Sequence, residues 1–170
     1  IHSKDTKRSI DDALKAQHLG ATGIQVSPPL YNDPTQDDIL RYFEALSDAI
    51  GIMVYNNPWQ AHGEVGLTTF KKMAEFEQVM SIKWASPKTY VHSDMEVLAS
   101  DFNIFENGRK LGECFRLGGK GFLDEQSTAY PAHELKILEL LEVGKYKEGQ
   151  AMSDAVRHPL SDFYRKLASR

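Results

Sequence analysis

Three side chains in this 170-residue chain have the type and setting for covalent carbonyl chemistry: Lys83, Tyr55 and Tyr31. Lys83 closes the apolar run Val79-Met80-Ser81-Ile82, where burial strips water from an ammonium and favours the neutral, nucleophilic amine. The plainer alternative is a strand-end lysine that snorkels its charge out to water. Tyr55 closes a second apolar run, Ile52-Met53-Val54, and is followed by Asn56, Asn57 and Pro58. A phenol there can relay a proton to a substrate oxygen, or simply cap the core with its hydroxyl wet. Tyr31 lies in Pro28-Pro29-Leu30-Tyr31-Asn32-Asp33-Pro34, a loop that its prolines stiffen without regular structure, where it can also serve as a packing or subunit-contact aromatic.

Other residues carry weaker signals. His62 is a loop histidine, more simply solvated than catalytic, and no histidine shows metal-ligand spacing to another His or Cys. Leu117-Gly118-Gly119-Lys120-Gly121 looks like a phosphate cradle, but it precedes a strand, whereas phosphate loops follow one and open a helix. A helix C-cap and a tight turn explain it better. Trp84, Asp124, Glu125 and Gln126 sit at strand exits and can shape a pocket. No Gly-x-Ser-x-Gly or Cys-His pattern stands out.

The elements that must position these residues alternate between two periods. Short apolar runs of strand length occupy 23–27, 52–55, 79–83, 102–105 and 121–123, and their near-continuous apolarity predicts burial on both faces. Between them, helical spacing predicts helices over 9–19, 35–50, 68–76, 91–100, 110–117 and 131–142. The first opens with Ser9, Asp11 and Asp12 and stops at Gly20, and the second begins Thr35-Gln36-Asp37-Asp38, both cap patterns. A more charged helical tail over 145–167 is predicted to break at Pro159. Helices alternating with buried strands imply an α/β fold of parallel units, with ligands at the carboxyl ends of the strands. Five such units suit either an open flavodoxin-like sheet or most of a β/α barrel, and periodicity does not separate the two.

Composition narrows the classes of partner. The chain has 20 Lys+Arg against 24 Asp+Glu, a net charge of −4, and no block of like charges, which argues against nucleic acid or an anionic membrane as partner. Its length and 41% hydrophobic content are enough for a core without a disulfide or metal staple. A single cysteine, Cys114, fits a reducing, cytoplasmic setting. No apolar run approaches the roughly 20 residues needed to span a bilayer. The first ten residues are charged and lack an apolar signal-peptide stretch, and the absent initiator Met leads us to expect a fragment.

Taken together, these stretches resemble the dihydrodipicolinate synthase / N-acetylneuraminate lyase family of class I aldolases. Gly20-Ala21-Thr22-Gly23, continuing to Pro29-Leu30-Tyr31-Asn32-Asp33-Pro34-Thr35-Gln36, looks like the family's "GAD…PYYNKPTQ". Ile52-Met53-Val54-Tyr55-Asn56-Asn57-Pro58 is similar to "ILYNVP", and Val79-Met80-Ser81-Ile82-Lys83-Trp84-Ala85-Ser86 resembles "IVGIKEAS", whose lysine forms the Schiff base. Phe105-Glu106-Asn107-Gly108 sits where the family has "SGDD", and Leu117-Gly118-Gly119-Lys120-Gly121-Phe122-Leu123 looks like "LGAKGVIS". The matches run in family order over residues 8–150.

The resemblance implies a (β/α)8 TIM barrel with a C-terminal helical extension, here only about the last five βα units, with residues 1–130 as barrel and 131–170 as extension. It implies a homo-oligomer, a dimer or a tetramer. Lys83 is then expected to attack the C2 carbonyl of pyruvate or another 2-oxo acid, with Tyr55 as proton relay and Tyr31 reaching into a neighbouring subunit to complete it. Asn57, Gln60, Trp84, Gly108 and Leu123 are expected to bind substrate. An iminium at Lys83 is itself the electron sink, so no cofactor is expected.

Two departures from the pattern matter. Nothing matches the family's Gly-Thr-Thr-Gly-Glu loop or its first three strands, which leaves open a catalytically inactive relative serving as a ligand-binding or regulatory protein. Gln60 stands where dihydrodipicolinate synthases place an arginine, and a neutral amide does not replace that charged fork. Trp84 in place of the usual acidic residue, with Trp59 adding bulk, points to a larger or less charged second substrate. An unrelated flavodoxin-like binding domain is the third reading, disfavoured because 27–34 is a proline-rich loop with no phosphate-binding or acidic cluster.

Overall fold

The computed structural model describes residues 5–29, 33–57, 64–85, 91–107 and 109–168. Five strands, β1 (Gly23–Val26), β2 (Gly51–Asn56), β3 (Val79–Trp84), β4 (Asn103–Glu106) and β5 (Gly121–Phe122), form one sheet in the order β1-β2-β3-β4-β5. Every neighbouring pair is parallel. A flavodoxin-like sheet reverses its strand order at a switch point, whereas successive strands of a β/α barrel pair in sequence. The unreversed order observed here is the barrel pattern.

Helices α1 (Thr6–His18), α2 (Gln36–Ser47), α3 (Leu67–Met73), α4 (Met95–Leu98) and α5 (Leu111–Arg116) alternate with the strands, and α6 (Pro131–Glu142) and α7 (Tyr146–Ala168) follow. Short 3-10 turns cover His92–Asp94 and Glu125–Thr128. Thr35 caps α2 in a reciprocal box with Asp38, as its sequence predicts. In α1 the cap differs from the expected one: Asp5 accepts from the Arg8 N–H (2.9 Å), so Ser9 falls inside the helix. There its hydroxyl is fully buried, donating to the Asp5 carbonyl and accepting from the Tyr42 hydroxyl, both at 3.0 Å.

The main core lies on one side of the sheet. Val26, Ile52, Val54, Ile82, Trp84 and Ile104 meet Ile39, Phe43 and Leu46 of α2, Phe70 and Met73 of α3, and Met95 and Leu98 of α4. On the other side, Gln25, Met53, Tyr55, Ser81, Lys83 and Phe105 are only partly buried. The expectation of strands buried on both faces is therefore corrected to an alternating pattern, with helices covering one face. Beyond the sheet, α6 docks on α5 through Leu111, Ile137 and Leu141. The second correction is α7, which runs unbroken through Pro159. A proline costs a helix one N–H bond and crowds the preceding turn, but it does not oblige the helix to end. Among the described residues, no helix is long and apolar enough to cross a membrane.

Candidate active site

Lys83 and Tyr55 stand directly opposite each other in the β2–β3 register, one residue before the end of each strand. What puts them on the same face is a bulge. Ile52 pairs with Val79 but Met53 pairs with Ser81, which leaves Met80 as an extra residue in β3. Val79 is buried in the core; with strict alternation from it, Ser81 and Lys83 would also point into the core. The extra residue resets the phase, so that Ile82 and Trp84 take the core side and Ser81 and Lys83 the open side.

On that open side the Lys83 Nζ lies 3.9 Å from the centre of the Tyr55 ring. Burial lowers the Lys83 pKa toward the neutral amine, and the negative charge of Glu125, just beyond β5, works against it. The ring face likewise favours the charged form. The Tyr55 hydroxyl accepts a hydrogen bond of 2.8 Å from the Asn57 side-chain amide. A lysine amine beside a held phenol is a nucleophile with a proton donor and acceptor at hand. Phe105 is the β4 partner of Lys83 and extends the same face, and its ring takes the space at Gly121, where a Cβ would come within 2.9 Å of it.

The strand ends are pinned from behind. Asn56, almost fully buried, donates through Nδ2 to the Val65 carbonyl (3.2 Å) and accepts from the Val65 N–H (3.0 Å). Its amide thus stands in for a peptide and ties the end of β2 to the chain entering α3. The Asn107 N–H bonds the Trp84 carbonyl (2.9 Å), and the Leu123 N–H bonds the Glu106 carbonyl (2.8 Å), continuing the ladder past β3 and β4.

Of the expected substrate-binding residues, Asn57 lies against Tyr55, and Leu123 is half-buried just past β5. Trp84 is not brought to the Lys83 side: as its next neighbour on the strand it faces the helices, 1% exposed, and donates from Nε1 to His92 Nδ1 (3.2 Å). Tyr31, Gln60 and Gly108 lie outside the described residues, as does His62.

Sequence reasoning missed what lies behind Lys83. Glu106, the register partner of Trp84, is 2% exposed, and its Oε1 has only long contacts to the backbone N–H groups of Arg109 (3.4 Å) and Lys110 (3.5 Å). Burial pushes its pKa up to about 7. His92 Nε2 sits 3.8 Å from Glu106 Oε2 and 4.0 Å from Glu113 Oε2, too far for a hydrogen bond, and among the described residues neither His92 Nε2 nor Glu106 Oε2 has a hydrogen-bond partner. Burial also lowers the His92 pKa, so each group leans toward its neutral form. The signal was available: Glu106 shares strand parity with Ile104, a core position. A groove of about 790 Å³ between α5 and α7 is lined by Arg109, Lys110, Arg116, Tyr146 and Gln150 among others and does not include Lys83 or Tyr55.

Comparison with known proteins gives a consistent picture. The model of the dihydrodipicolinate synthetase family matches residues 1–167. The 4-hydroxy-tetrahydrodipicolinate synthase of Bradyrhizobium diazoefficiens is 31% identical over 134 residues, covering 76% of this chain and 45% of that protein. That of Staphylococcus carnosus is 26% identical over 168 residues, covering 96% and 55%. Among solved structures, the dihydrodipicolinate synthase of Thermotoga maritima superposes with a TM-score of 0.84 at 22% identity, covering 96% of this chain and 58% of that one. The pyruvate complex of the chloride-inhibited Acinetobacter baumannii enzyme gives 0.81 at 18%, covering 90% and 54%. The chain spans about half the length of the curated relatives it matches.

Proposed function

The chain belongs to the dihydrodipicolinate synthetase family, and from that premise we propose that it is a Schiff-base-forming lyase, an aldolase or dehydratase acting on pyruvate or another 2-oxo acid. One observation carries this reading: Lys83 and Tyr55 are register partners on the open face of the sheet, with the amine 3.9 Å from the phenol ring. The neutral Lys83 amine adds to the C2 carbonyl, and the resulting carbinolamine loses its oxygen as water to leave an iminium. The protons involved pass through the Tyr55 hydroxyl. The iminium then accepts the electron pair released when C3 loses a proton or its bond to C4 breaks.

In this reading the chain supplies about the last five βα units of a barrel up to residue 130, with 131–170 as a helical extension, and it works in the cytoplasm as a homo-oligomer. Tyr31 completes the proton relay from a neighbouring subunit. Asn57, Gln60, Gly108 and Leu123 border the substrate. Relatives bear the name of a synthase; that this chain uses a different second substrate rests on Gln60, whose neutral amide replaces the arginine fork that would grip a carboxylate.

The test is borohydride reduction in the presence of pyruvate, followed by intact mass and peptide mapping. A pyruvyl-sized adduct on Lys83, absent from Lys83→Ala, is expected. A folded chain that takes up no adduct overturns the lyase reading and leaves a ligand-binding relative in its place.

A further inference from the structure

Two consecutive asparagines end β2, and they do different work. Asn56 faces the packed side and clamps Val65. Asn57, 7% exposed, lies beyond the last strand residue and donates its amide N–H to the Tyr55 hydroxyl oxygen at 2.8 Å. The family motif quoted above has valine at this place, a side chain with nothing to donate. We propose that Asn57 is a positioning residue: by donating to the Tyr55 oxygen it turns the phenol proton toward the carbonyl that Lys83 attacks.

A phenol hydroxyl keeps its hydrogen near the plane of the ring, so the hydrogen has two positions, one on either side of the C–O bond. A donor bonded to the oxygen on one side leaves the hydrogen to the other. The Lys83 amine is held by the same ring, 3.9 Å from its centre, so the carbon it attacks forms its bond beside that hydroxyl. During dehydration the carbinolamine oxygen takes the Tyr55 proton and leaves as water. The nitrogen lone pair closes the C2=N bond and nitrogen keeps its proton, which leaves the iminium beside a Tyr55 phenolate; the phenol is restored by the proton that the substrate gives up in the next step, so no other reagent enters. Holding the hydroxyl in one rotamer removes an unproductive half of its orientations and lends the oxygen a hydrogen bond while its proton is away.

This inference rests on the lyase reading, and its test separates the two. The rate at which borohydride-trappable adduct forms with pyruvate is compared in the unaltered chain, Asn57→Val, Tyr55→Phe and the double variant, with thermal melts to confirm folding. Asn57→Val is expected to slow adduct formation about tenfold, the size of one hydrogen bond made to a group under charge. Asn57→Asp, which keeps the shape and, once ionised, has no N–H to give, is expected to slow it similarly. In the Tyr55→Phe background, Asn57→Val is expected to cost nothing further, because its effect passes through the missing hydroxyl. A purely structural role, or a substrate contact that acts without the phenol, would slow Tyr55→Phe as much as the unaltered chain, and that result overturns the proposal. So does a Val variant as fast as the original, while the lyase reading stands in both cases. Absence of any adduct in the unaltered chain overturns the two together.

Discussion

Glu106 and His92 show how far a single residue's environment departs from its type. Both are buried between β4 and the turn before α4, and both are driven toward neutrality by loss of water. For Glu106 the folded pKa is raised from 4.5 to about 7. Below pH 4.5 the acid is protonated in the folded and the unfolded chain alike, and the folded state keeps its full stability. As pH rises toward 7 the unfolded chain ionises first, so stability is lost through that window. A shift of that size corresponds to about 3 kcal/mol. Glu106→Gln is therefore expected to match the original chain near pH 4 and to exceed it by up to that amount at pH 8, as read by urea unfolding. Equal stability at pH 8 would mean that the carboxylate finds compensation in the fold. For His92 the sign reverses: its folded pKa lies below the unfolded one, so its contribution is present above pH 6.5 and is lost as pH falls. His92→Gln is thus expected to flatten the acid side of the profile, and a profile unchanged there rules the histidine out. Cys114, by contrast, is a thiol pushed up to about 12 by burial, which leaves it unreactive.

At the scale of the element, the decisive feature is the extra residue in β3. Lys83 was legible as a candidate nucleophile from its type and its apolar run, but no reading of the run alone tells which face it takes. That depends on the phase of the pairing with β2, and a single inserted residue reverses it. Removing Met80 is expected to return β3 to strict alternation, turn Lys83 toward the helices and abolish the adduct with pyruvate. A deletion variant that still folds and is trapped at Lys83 at the original rate would show that something other than the bulge aims it. Trp84 belongs to the same lesson: its type and its place after the lysine read as pocket lining, and the pleat carried it to the other side. Pro159 shows the opposite limit, since a residue that usually ends a helix is accommodated within α7.

For the whole molecule, the sheet order and the family agree, and the open face carrying Lys83 is where a barrel interior would lie. The homo-oligomer we propose has a direct readout in native mass spectrometry: a multiple of the protomer mass is expected. A species of one protomer at all concentrations would remove Tyr31 from any shared relay and leave Tyr55 alone with Lys83.

The sequence by itself determined the alternation of helix and strand, the family, and the choice of Lys83 and Tyr55 as the candidate pair. These follow from local periodicity and from side chains whose chemistry is intrinsic. The tertiary structure decided between an open sheet and barrel-type pairing, because strand order is a matter of long-range hydrogen bonding that no local pattern encodes. It also decided which face each strand-end residue takes and brought His92 to Glu106 across 14 positions of chain. Burial, and with it the protonation of those groups, arises only when distant elements close over a side chain and remove its water.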